Sequence, residues 1–195
     1  MGGHAALPEK NIDPIIISAH ILTQLQTIVS RFLPPKLPAV LSFGNIHGHG
    51  ATNVIPDKVT IDGTFRIMDE EWRYKAHEKI ASTAKQIAQS FGGDCEVDIK
   101  VGYPYLKNDV ELTEQCIGFA EDYLGKENVE DLDIWMGSED FAFYTHHTKG
   151  CFYRLGTKIE GKNITPVHTT TFDIDENALK IGAGLMAYSA IRQLT

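Results

Sequence analysis

Residues 58–68 impose the tightest constraint on the fold. Val59, Ile61, Gly63, Phe65 and Ile67 alternate with Lys58, Thr60, Asp62, Thr64 and Arg66, a period of two that suits a strand with one packed face and one wet face. A strand of this kind has to cover its apolar side, and the flanking segments supply the means. Upstream, Asp13-Pro14 reads as an N-cap followed by proline at the first helical position, and Ile15, Ala19, Leu22, Gln26 and Val29 then recur at helical spacing. That helix is predicted to end by Pro34-Pro35, and residues 40–46 to form a second strand. Downstream, Asp69 caps a helix with Trp72, Ala76, Ile80, Ile87 and Phe91 on one stripe, closed by Gly92-Gly93. Cys95, Val97, Ile99 and Val101 alternate in a further predicted strand. Helix, strand, strand, helix, strand is the order of a ferredoxin-like two-layer α/β unit without its first strand, and Met1-Gly2-Gly3 stands where that strand would be finishing.

Gly102-Tyr103-Pro104-Tyr105 reads as a domain boundary, giving domains at 1–104 and 105–195. The second part is predicted to hold a helix over 109–124, a short strand near 132–135, a helix or turn over 138–144, a strand near 151–155 and a helix over 175–193. It reads as a piece of an α/β domain. The 195 residues, 43% hydrophobic and 23% charged, are ordinary globular material. A net charge of -8 without a cluster of Lys and Arg argues against nucleic acid and anionic lipid as partners. No apolar run reaches the length of a membrane span and no secretory pattern opens the chain, so a cytoplasmic location is expected. Cys95, Cys116 and Cys151 are odd in number and lack metal-type spacing, which suits a reducing compartment and three small apolar residues. Asn163-Ile164-Thr165 matches a glycosylation acceptor, read as chance without a secretory signal.

The candidate chemistry gathers in loops. Gly44 to Asp57 concentrates glycine, His47, His49 and Asn53 where the chain reverses, so backbone can approach a ligand and neutral donors and acceptors can meet it. A plain glycine-rich hairpin would look the same, and a metal pair at His47 and His49 would sit on a poor frame. Glu70-Glu71 resembles a catalytic carboxylate pair but lies in a first helical turn, where the helix dipole favours acids. Arg66 lies on the polar face of its strand, able either to grip a carboxylate bidentately or to form a surface ion pair of little consequence for folding. Ser138, before Glu139 and Asp140, makes a plausible N-cap and has no histidine placed to activate it. His168 precedes a predicted helix, but one histidine is not a metal site, since a catalytic zinc takes three or more protein ligands.

Together these stretches resemble the aminoacylase and carboxypeptidase family of co-catalytic zinc hydrolases, in its amidohydrolase branch with hippurate hydrolase, N-acyl-amino-acid deacylase and auxin-conjugate hydrolase. Carrying the resemblance are Gly2-Gly3-His4-Ala5-Ala6 with Pro8, Asp13-Pro14, Leu25 to Arg31, Asn53-Val54-Ile55-Pro56-Asp57, Gly63-Thr64-Phe65-Arg66, Gly137-Ser138-Glu139-Asp140-Phe141-Ala142, and His168 with Phe172-Asp173. The resemblance implies a lid and dimerisation domain over 1–104 and the C-terminal portion of a catalytic domain over 105–195. It also implies roles. His4 would reach the neighbouring subunit's site and polarise the scissile carbonyl, Asn53 would contact substrate, and Arg66 would hold its carboxylate. Ser138 and Glu139 would belong to the substrate-side wall, and His168 would be the last ligand of a two-metal site holding zinc or manganese.

The implied substrate is an N-acyl or N-aroyl amino acid or a small peptide, and the implied assembly is a homodimer through the lid. Members of that branch run well beyond this length, and their Cys-Gly-His ligand motif, Glu-Glu pair and further histidine ligand are absent here. His49 and Gly50 stand where the family more often has glycine and threonine, and His146-His147 replaces a more apolar stretch. The chain alone is therefore expected to be inactive. A non-catalytic dimerisation or small-acid-binding module derived from the family is the alternative.

Overall fold

A computed structural model of the chain describes residues 1–159, 161–162 and 166–195. The Asn163-Ile164-Thr165 acceptor match lies outside the described residues. The elements are β1 (Gly3–His4), α1 (Pro14–Thr27), β2 (Ala39–Gly48), β3 (Val54–Ile55), β4 (Val59–Ile67), α2 (Glu70–Ser90), α3 (Val110–Leu124), α4 (Ala142–Thr145) and α5 (Asn177–Leu194), a mixed α/β set. The chain divides into two compact units: Met1–Tyr105 with Trp135–Glu139, and Leu106–Ile134 with Asp140–Thr195. Among the described residues no helix is long and apolar enough to cross a membrane.

In the first unit the two long strands pair antiparallel, Ala39 opposite Ile67 and Gly48 opposite Val59. α1 and α2 pack on each other and on this sheet. Leu41 and Ile67 from the strands meet Ile17, Ile21, Leu25 and Ile28 from the first helical segment and Ala76, Ile80, Ala84 and Ala88 from α2 in one buried cluster. The helix starts are set locally. Asp13 accepts the N–H groups of Ile15 and Ile16 at 2.8 and 3.3 Å, and Asp69 accepts Trp72 N–H at 2.8 Å, each satisfying donors that a first turn leaves orphaned.

The buried stripes differ from the sequence expectation. α1 buries Ile17, Ser18, Ile21 and Leu25, while Ile15 stays 45% exposed. Ile15, Ile16 and Ile17 are consecutive, so the helix offers more than one apolar row, and packing against α2 and the sheet selects among them. α2 buries Arg73, Ala76, Ile80, Ala84 and Ala88, whereas Trp72 and Ile87 only flank the core. A seam of alanines lets two helices approach closely, which displaces the larger side chains to its margins.

The strands expected near 95–101, 132–135 and 151–155 are not formed. Over 95–99 the burial still alternates, Cys95, Val97 and Ile99 half-buried and Glu96 and Asp98 exposed. Alternation records which side a residue faces, whereas a strand also needs a neighbour for its ladder. In the second unit α3 packs with α5. Arg192 pairs with Asp122 at 2.9 Å, and the rings of Tyr123 and Tyr188 lie 5.5 Å apart.

Candidate functional site

A bulge decides what the sheet presents. Phe43 pairs with Gly63 but Asn45 pairs with Asp62, so Gly44 is an extra residue in β2. Directly opposed residues project to the same side of a sheet. The inserted residue therefore moves His47, paired with Thr60, onto the face that carries Asp62, Thr64 and Arg66. The Asn45 carboxamide donates to Asp62 at 2.9 Å across the irregularity. At the end of β2 the imidazoles of His47 and His49 lie parallel, 6.2 Å between centroids.

β1 pairs antiparallel with β3, His4 opposite Val54. Residues far apart in sequence thus become neighbours: the Ala5 N–H donates to the Asn53 carbonyl at 3.0 Å. Asn53 sits at the tip of a tight turn closed by reciprocal bonds between Ala51 and Val54. Gly50 is required there, since a Cβ would lie 2.5 Å from the Val54 carbonyl oxygen. Gly2 is required likewise, for a Cβ would overlap the Ile55 carbonyl, and its N–H is held by Asp57 at 2.8 Å.

The His4 side chain is exposed, and its Nδ1 accepts the Ala6 N–H at 3.1 Å. A backbone amide can only donate, so the neutral ring carries its proton on Nε2. Asn11 fixes the loop by donating to the carbonyls of His4 and Leu7 at 2.8 and 3.0 Å. The result is an N–H donor on an exposed residue beside the Asn53 turn.

Arg66 departs from the sequence expectation. It is half-buried rather than free on a wet face, and its Nη1 donates to the Met136 carbonyl at 2.7 Å. The bond places the guanidinium next to Gly137, Ser138 and Glu139, the stretch assigned to a substrate wall. Trp135 folds its indole over Gly137 so closely that a Cβ there would overlap the ring. Ser138 is exposed and is not a helix cap: α4 begins at Ala142 after Phe141, which makes no side-chain cap. Glu139 is half-buried.

Glu70 and Arg73 have a role that spacing did not reveal. Arg73, 8% exposed, bonds Glu70 at 3.2 Å and the carbonyls of Tyr103 and Gly102 at 2.7 and 3.3 Å. Glu70 also accepts the Tyr105 N–H at 3.1 Å. The acid that looked like half of a catalytic pair fastens α2 to residues 102–105. An arginine on the inner face of an amphipathic helix was the available signal. Nearby, burial first and Arg73 second push the His77 imidazole down.

His168 lies in the second unit, exposed, with φ 66°. Left-handed backbone is uncommon outside glycine and is held here by a turn in which Thr169 Oγ1 donates to the Pro166 carbonyl at 2.8 Å. Among the described residues no three His, Cys, Asp or Glu side chains assemble into a metal-holding group. One exposed histidine does not meet the ligand count of a catalytic centre, so the described residues do not by themselves fit a two-metal site.

The model of peptidase family M20/M25/M40 matches residues 7–192, and the chain belongs to that family. It is 36% identical over 195 residues to the N-acetyl-L-cysteine deacetylase of Bacillus subtilis, matching 99% of this chain and 45% of that protein. It is 34% identical over 193 residues to thermostable carboxypeptidase 2 of Saccharolobus solfataricus, matching 98% and 48%. Among solved structures it is similar to a dinuclear metal-binding peptidase of the M20 family from Bacillus subtilis, with a TM-score of 0.73 at 28% identity over 93% of this chain and 46% of that one. The chain spans about half the length of the relatives it matches.

Proposed function

We propose that the chain is part of a metal-dependent amidohydrolase cleaving the amide bond of N-acyl or N-aroyl amino acids or small peptides. In this reading residues 1–104 are the lid and dimerisation domain, and residues 105–195 belong to the catalytic domain. The observation that carries it is the Arg66 bond to Met136, which sets a cation able to grip a carboxylate beside Gly137, Ser138 and Glu139. Asn53 contacts the substrate from its turn. His4, with Nε2–H turned outward, donates to the carbonyl oxygen as it gains negative charge, and does so in the partner subunit's site.

Zinc or manganese would need ligands beyond the described residues, with His168 adding one. Homodimerisation is supported by α1, where Ile15 and Ile16 stay 45% and 49% exposed, and by β2 and β4, which pair only with each other among the described residues. The acidic balance supports a small substrate and neither nucleic acid nor membrane as partner, and a cytoplasmic location for the protein is part of the same proposal. The alternative is a non-catalytic dimerisation or small-acid-binding module derived from the family.

The test uses two proteins: this chain, and the product of the complete reading frame that contains it. With zinc or manganese and N-acetyl or N-benzoyl amino acids, the chain should show no turnover and should sediment as a dimer at tens of micromolar. The complete product should turn substrate over, and chelation or His168→Ala should stop it. A complete product that binds acyl amino acids without metal and never hydrolyses them would favour the module.

A further inference from the structure

All three cysteines are free thiols, and their spacing in sequence associates none of them. The fold brings two together. Asp109 N–H, at the cap of α3, donates to the Gly150 carbonyl at 2.9 Å. The Asn108 carboxamide donates to the Phe152 carbonyl and accepts its N–H, both at 2.9 Å. Lys149 pairs with Glu111 at 2.6 Å and with Asp109 at 3.8 Å. Residues 149–152 are thus stitched to the start of α3. Positions 109, 113 and 116 follow one helical face by steps of four and three, so Cys116 lies farther along the face that begins at the stitched cap. Its thiol and that of Cys151 are near enough to act on each other electrostatically, and the Tyr153 phenol feels both sulfurs. Cys116 and Cys151 are each half-buried, within reach of a small reagent.

We propose that Cys116 and Cys151 form a dithiol site that reacts with a small-molecule disulfide of the glutathione type and closes to an intramolecular disulfide. The Cys151 thiolate attacks one sulfur of glutathione disulfide, forming a mixed disulfide and releasing one glutathione thiolate. Cys116 then gives up its proton and attacks the Cys151 sulfur, releasing the second glutathione. Two protein thiols are oxidised, one glutathione disulfide is reduced to two glutathiones, and the two thiol protons end on them. Burial, with the neighbouring thiol, pushes Cys116 up to about 11, so its own thiolate is scarce near neutral pH. The bond would tie α3 to the segment whose Phe152 packs on Phe141 at 5.7 Å.

The chain is incubated with glutathione disulfide, free thiols are counted, and peptides are mapped by mass. Two thiols should disappear without a lasting glutathione adduct, the map should join Cys116 to Cys151, and Cys95 should stay free. The melting temperature should rise by about 5 °C or more and return with dithiothreitol. Cys116→Ser should stop at a glutathione adduct on Cys151, and Cys95→Ser should change nothing. Lasting adducts on unmodified chain, links between chains, a link through Cys95, or a crosslink that lowers the melting temperature would each overturn the proposal. The wild-type map suffices should a variant fail to fold.

Discussion

At the scale of single residues, Arg66 shows how a side chain holds two duties. Its bond to the Met136 carbonyl ties β4 to residues 135–139, and its remaining N–H groups keep the fork that matches a carboxylate. The sequence placed Arg66 on the polar face but could not show that a backbone carbonyl seventy positions away would half-cover it. Arg66→Ala should therefore destabilise the chain by about 1–2 kcal/mol, the range for a partly exposed bond from a charged donor. Urea unfolding followed by circular dichroism measures this. The same substitution should abolish a preference, about tenfold or more, for N-benzoyl amino acids over their carboxamides in calorimetric titration. Lost stability with that preference intact would leave Arg66 a strut and nothing more.

At the scale of elements, what was legible was what is decided locally. Asp13 and Asp69 each cap the helix the sequence assigned to them, and Asp109, read as the first residue of its helix, caps α3, because a cap needs only its own side chain and N–H groups two or three residues ahead. Asp69→Ala should cost about 1 kcal/mol and lower the melting temperature by about 2–4 °C, while Asp69→Asn should recover most of the loss. A melting temperature unmoved by Asp69→Ala would show that α2 is held by its buried alanine seam alone. The strands near 95–101, 132–135 and 151–155 were not legible, since their patterns fix a facing and the ladder depends on a partner elsewhere. The site divides the same way. His4 and Asn53 were legible through motif resemblance, whereas the β1–β3 pairing that joins them, the Arg73 fastening and the Cys116–Cys151 contact are tertiary facts without a local signature.

At the scale of the whole chain, burial is unequal. The contiguous buried apolar cluster lies in the first unit, from Ile17 to Ala88. Among the described residues of the second unit, the buried hydrophobics are Ala142, Ala178 and Leu185, while Leu179, Met186 and Ile191 on α5 are 62%, 61% and 61% exposed. Buried apolar area is the main favourable term in folding, and local opening is easiest where it is scarce. Beside the Tyr123–Tyr188 ring pair, α3 and α5 are joined by polar contacts that water can compete for: Arg192 with Asp122 at 2.9 Å and Gln193 with Gln115 at 2.9 Å. Native-state hydrogen exchange should therefore show amides of α3 and α5 exchanging at least tenfold faster than those of α1, α2, β2 and β4 under identical conditions, with the gap widening in salt as the Arg192 pair is screened. Equal protection throughout, with one shared opening free energy, would mean that the two units unfold as one cooperative body and that the small buried set of the second unit is not what limits it.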